Sequence, residues 1–223
     1  MKNLKLTPKL IGSFLIVALL TAVIGFFGLS GISQLGDIIE DISTDQLPTV
    51  KAVLNMRAGV TKILAADRTL MIEKADNKEL EYQFGRMLDA IDRFEKAKSV
   101  YEKLPKDPEE SKFWTEVLIN WENYKKSHDE FADLIKKYKD ARIAGSPLSL
   151  IEEDYANAMA KSISMRKDFL ALDKKLAELS DRAEALAAGR LDEAISSSKF
   201  TQLLTIILTV VIFVVSILLG LYI

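Results

Sequence analysis

The chain has 223 residues, with 30 basic and 32 acidic side chains, a formal charge of −2 and no cysteine. A balance this close to neutral leaves no electrostatic footprint for nucleic acid. The lack of thiols removes disulfides, thiolate metal sites and haem attachment from consideration.

The first nine residues hold Lys2, Lys5 and Lys9, and the stretch 10–29, "LIGSFLIVALLTAVIGFFGL", carries no charge. A helix needs roughly 20 apolar residues to cross a bilayer core, so 10–29 reads as a first transmembrane helix. The run is longer than the core of a signal peptide and no small-residue cleavage site follows it, which favours an uncleaved anchor. Asp37, Glu40 and Asp41 lie beyond it, so the positive-inside tendency places the N-terminus in the cytoplasm. From Phe200 to the end, "FTQLLTIILTVVIFVVSILLGLYI" is again uncharged. It reads as a returning span over 201–223, with Phe200 and Tyr222 as interfacial aromatics. Residues 30–200 then lie outside the cytoplasm.

Between the spans no stretch alternates with period two, and helix formers dominate. Four helices are expected, at about 30–75, 77–104, 108–143 and 149–200. Asp76 with Glu79 resembles a capping box; Asp107-Pro108 with Glu110 and Ser149 with Glu152 make two further helix starts. Gly145 before Ser146-Pro147 is a stop signal, and Pro48 should bend or interrupt the first helix. The third helix carries Trp114, Val117, Trp121, Tyr124, His128, Phe131, Ile135 and Tyr138 at alternating steps of three and four. Leu80, Phe84, Met87, Ile91 and Phe94 in the second helix repeat the pattern, as do Phe169, Leu172, Leu176, Leu179, Ala183 and Leu186 in the fourth. These are the seams of an all-α, antiparallel up-down four-helix bundle continuous with two transmembrane helices.

The lysine-led anchor, "LPTVKAVLNMR" after it, the four helices and the returning span resemble the four-helix-bundle sensor region of methyl-accepting chemotaxis proteins, over essentially the whole chain. The same bundle occurs in sensor kinases and cyclic-nucleotide-signalling proteins. The resemblance implies an inner-membrane homodimer with a periplasmic sensor domain at 30–200. Such a sensor binds a small molecule and signals to cytoplasmic domains that would follow Ile223.

In the first helix, Arg57 and Arg68 differ by about 20° around the axis, with Thr61 and Leu64 between them, while Lys62 lies about 140° from Arg57. Arg57 of one copy and Lys62 of its twin are therefore placed to meet at a dimer seam, in the half of the bundle far from the membrane. The positions that carry arginines in an aspartate-binding member of the family fall on Arg57, Lys62 and Ala66. Lysine lacks the planar fork of arginine, so a small carboxylate or other anion is favoured over an amino acid. Arg57, Thr61, Lys62 and Arg68 are the candidate ligand-binding residues. The plain alternative is surface ion pairing with neighbours such as Asp67 and Glu73.

His128 sits in a core register, where a hydrogen-bonded seam residue is expected more often than a pH sensor. Trp114, Trp121, Phe131 and Tyr138 have core spacing rather than that of an aromatic-ligand pocket, and Glu152, Glu153 and Asp154 suit the dipole at a helix start. No phosphate loop, nucleophile elbow or metal-ligand motif is present, so neither catalysis, a metal nor a cofactor is expected. Expected partners are a small organic acid or amino acid, membrane lipid, a second copy and a periplasmic binding protein. The alternative function is a membrane-anchored scaffold that docks such a protein without a small-molecule site, or the sensor region of a histidine kinase or cyclic-dinucleotide enzyme.

Overall fold

The computed structural model describes residues 6–72 and 76–222, with side chains as far as Leu221. Lys2, Lys5, Glu73, Lys74, the Tyr222 side chain and Ile223 lie outside the described residues. The elements are α1 (Leu6–Asp41), a π-helical turn (Ile42–Gln46), α2 (Leu47–Leu70), α3 (Asn77–Glu102), α4 (Pro108–Ile143) and α5 (Leu148–Tyr222). They form two compact units: Asp45–Leu186 is one, and the residues up to Thr44 with those from Ala187 onward are the other.

Within the unit Asp45–Leu186, α2 to α5 form the antiparallel bundle. Gly59 of α2 lies so close to α3 that a Cβ there would stand 3.1 Å from the Ala90 carbonyl oxygen. Arg93 of α3 donates to Asn55 of α2 at 2.6 Å. Trp121 of α4 stacks on Phe94 of α3, ring centres 3.7 Å apart, and its Nε1 donates to Glu95 at 3.0 Å. Between α4 and α5 runs a ladder of opposed residues: Lys137 with Asp154 at 2.9 Å, Glu130 with Lys161, Glu116 with Lys175 at 2.6 Å, and Asp107 with Arg182 at 2.6 Å. Tyr155 closes the ring of helices by donating to the Met71 carbonyl at 3.0 Å.

The seam residues of α4 are all buried, and Leu80, Met87 and Phe94 of α3 join them, with Phe84 and Ile91 packed at the margin. The α5 seam is buried from Phe169 to Ala183, but Leu186, expected in it, is 39% exposed. Arg182 already reaches Asp107 and Glu109 at the first turn of α4, so Leu186 lies one turn past the last α4 residue that could cover it.

Local signals explain where the helices stop. Asp76 accepts from the Glu79 amide, and Asp107 from the amides of Glu109 and Glu110, each at 2.8 Å. Orphan donors of the first turn are thereby satisfied. The reciprocal half of the capping box does not form at either place: Glu79 accepts from Gln83, and Glu110 from the Tyr101 hydroxyl. Gly145, at φ 63°, ends α4 in the left-handed region that glycine enters without steric cost.

Two expected boundaries move. Ser149 is not a cap, because α5 starts at Leu148 and the Pro147 carbonyl accepts from the amides of Leu150 and Ile151. Of the three acids assigned there to the helix dipole, Asp154 is instead 2% exposed and paired with Lys137. The first bundle helix, expected as one element over 30–75, is divided by the π turn just before Pro48 and ends at Leu70. Proline has no amide to close an α-turn, and the preceding backbone widens to accommodate it. Ser43 and Thr44 donate their hydroxyls to the Glu40 carbonyl in this stretch.

In the other unit, apolar side chains point outward: Phe14 is 73% exposed, Leu29 71% and Phe213 65%. Both apolar stretches are long enough to cross a membrane. Gly31 faces Thr201 with no room for a Cβ, Ser197 donates to Gln34 at 3.1 Å, and Arg190 meets Asp41 at 3.0 Å. Thr21, Thr205, Thr209 and Ser216 each return their hydroxyl proton to the carbonyl four residues earlier. These four hydroxyl donors are thereby satisfied without water, as suits a hydrocarbon setting.

Candidate functional site

The buried stripe of α2 is Thr49, Ala52, Val53, Met56, Gly59, Val60, Ile63, Ala66, Asp67 and Leu70. The four candidate residues fall outside it. Arg57 is half-buried, and Thr61, Lys62 and Arg68 are exposed. The Thr61 hydroxyl is spent on its own helix, donating to the Arg57 carbonyl at 2.9 Å. No ion pair joins Arg57, Lys62 or Arg68 to a described acid, and the expected pairing with Asp67 does not form. Asp67 is only 1% exposed and faces inward, where its Oδ1 lies 3.2 Å from Nε2 of His128, itself 2% exposed. Asp67 falls on the same turn-by-turn stripe as Val60 and Ile63, so the helix carries it into the core.

This contact crosses the bundle diagonally from α2 to α4. A single proton serves both atoms, donated either by Nε2 to the carboxylate or by the carboxyl to the ring. The hydroxyl of Tyr124, one turn before His128, lies beside the same carboxylate and interacts with it, but neither Asp67 Oδ2 nor Tyr124 Oη completes a well-formed hydrogen bond within the protein. Burial pushes the Asp67 carboxyl above its ordinary range, while the contacts from His128 and Tyr124 pull against that rise. Burial, and then the Asp67 charge, push the Tyr124 phenol up. An unpaired buried polar group costs about 1–3 kcal/mol, so hydrophobic packing alone would not select this cluster.

Asp67 and Tyr124 open onto a cavity of about 150 Å³ between α2, α4 and α5, which Arg68, Ser162, Arg166 and Phe169 also line. The structure thus brings Arg68, of the four expected residues, to a cavity wall. It adds Asp67, Tyr124, Ser162 and Arg166, which the sequence reading did not single out as ligand residues. A signal was available for Asp67: it is a carboxylate in an otherwise apolar register. Nothing along the chain, however, pairs it with His128 or with residues 162–166.

His128 is the hydrogen-bonded seam residue its register implied. The aromatics are core: Tyr101 packs on Trp114 at 4.5 Å, Tyr138 on Tyr155 at 5.3 Å, and all of these except the half-buried Tyr155 are buried.

The bundle geometry of Asp45–Leu186 agrees with comparison to known families. A family described as the four helix bundle sensory module for signal transduction matches residues 3–187, and the chain belongs to it. Among solved structures, the periplasmic sensor domain of a sensor histidine kinase is similar at 17% identity and a TM-score of 0.39, covering 72% of this chain and 92% of that one. No curated protein matches.

Proposed function

We propose that this sensory module is the receptor part of a two-pass inner-membrane protein acting in chemotaxis, with its bundle in the periplasm and its N-terminus in the cytoplasm. A small carboxylate or other anion binds the outward face of α2, in a symmetric homodimer where Arg57 and Thr61 of one copy face Lys62 of the other and Arg68 extends the basic surface. The observation that supports this most is the clustering of charge outside the buried stripe of α2: three cations within a dozen residues, none paired with a described acid.

α5 supplies the route for the signal, because it runs unbroken from Leu148 in the bundle to Tyr222 in the apolar segment. A ligand shifts a two-state packing of α2 and α5 only by its difference in affinity for the two arrangements, and about 1–3 kcal/mol of coupling is enough to bias output. Calorimetry of the full chain with succinate and benzoate should show saturable heat that the double variant Arg57→Ala, Lys62→Ala loses while its helical circular dichroism stays intact. Equal affinity in wild type and variant would remove the face from the mechanism. No heat with either acid, together with capture of a periplasmic binding protein, would favour the docking scaffold.

A further inference from the structure

We infer that the cavity between α2, α4 and α5 is a second binding site, lying within one protomer and taking a small zwitterion whose ammonium group seats on Asp67 and Tyr124 and whose anionic group meets Arg68 and Arg166. The site borders the dimer face proposed above and shares Arg68 with it, but uses neither Arg57 nor Lys62.

The floor sets the polarity of one end. Asp67 and Tyr124 are each 1% exposed, and Asp67 Oδ2 and Tyr124 Oη stand side by side without completing a well-formed hydrogen bond within the protein. His128 occupies Oδ1 and holds the carboxylate from the far side, which orients Oδ2 as the free acceptor. A carboxylate oxygen accepts only, so the group that completes it is a donor. An ammonium donates to Oδ2 and Oη together, and Phe169 lines the cavity beside them.

The mouth sets the opposite polarity. Arg68 from α2 and Arg166 from α5 are exposed cations on the same cavity, with the half-buried Ser162 beside them. A simple amine would be repelled there, and a simple anion would face the Asp67 charge within. A molecule carrying both charges meets both ends. Size restricts it further: an apolar cavity of about 150 Å³ admits benzene, which corresponds to roughly six or seven non-hydrogen atoms.

β-Alanine and taurine fit this description, and ethylammonium and propionate are their separate halves. Calorimetry of the full chain in detergent should give saturable binding of β-alanine or taurine and at least about tenfold weaker binding of either half. Asp67→Asn and Arg166→Met should each weaken the zwitterion by about tenfold or more. Arg57→Ala with Lys62→Ala should leave it unchanged, which separates this site from the anion face. Arg166 is exposed, so Arg166→Met tests the site even where the buried Asp67→Asn perturbs folding. Absence of saturable binding by both zwitterions would overturn the assignment, as would propionate binding equally well or affinity unaltered in Arg166→Met.

Discussion

The two units draw on similar apolar side chains and orient them oppositely. In the bundle, Phe94 is fully buried and Trp121 is 1% exposed, and the outward faces carry the ladder of charges between α4 and α5. In the other unit, Phe14, Leu29 and Phe213 face outward while the contact between α1 and α5 is made by Gly31, Thr201, Gln34 and Ser197. Water rewards inward burial of apolar surface, whereas lipid does not distinguish an outward leucine from an inward one, so small residues and hydroxyls decide the contact there. The difference teaches which solvent each half of the chain is built for.

Core truncation should separate the units most. Trp121→Ala is expected to cost about 3–5 kcal/mol in chemical denaturation of the bundle, because it opens a cavity against Phe94 and strands Glu95. Phe14→Ala should leave the same transition nearly unchanged; equal losses would break the comparison. Next in size, Phe213→Asp should raise the free energy of membrane insertion by about 2.5–3.5 kcal/mol near a span centre. A glycosylation-based insertion assay reads this, and a variant that inserts as well as wild type would mean that the α5 segment lies in water.

The smallest effect concerns the one acid carried into the core on α2. The folded-state pKa of Asp67 is raised by burial, so the folded chain keeps that proton through a window opening near its ordinary value of 3.8. Its contribution to stability is full below that value and is lost as pH rises through the folded pKa, at no more than about 1.4 kcal/mol per pH unit. Asp67→Asn should flatten this part of the stability profile, measured by thermal melts across pH. An unaltered slope would show that the carboxyl does not titrate differently on folding.

Much of the fold is legible along the chain because its causes are local. Asp76, Asp107 and Gly145 act within a few residues of themselves, and the steps of three and four through Trp114 to Tyr138 name one face of one helix. Pro48 announced a break but not its form, since whether the backbone bends, stops or widens depends on how the turns before it are held. Ser149 misled because the Pro147 carbonyl took the role that a side-chain cap would have filled. Leu186 misled because periodicity continues past the point where a neighbouring helix can cover it.

The candidate site divides in the same way. Arg57, Thr61, Lys62 and Arg68 are legible as residues outside the buried stripe of α2, because helical periodicity alone decides which positions turn inward. The cluster of Asp67, Tyr124 and His128, with Ser162 and Arg166 at the cavity, joins residues separated by up to about a hundred positions in the chain.

By itself the sequence determined an all-α chain with two uncharged spans, the helix termini marked by caps and glycine, and the register of each seam, since these follow from backbone hydrogen bonding and a period of about 3.6 residues. Tertiary structure alone decided which acid faces His128, which arginines share a cavity and where each seam ends. Those outcomes depend on the distance between side chains on different helices, a quantity that no single helix encodes.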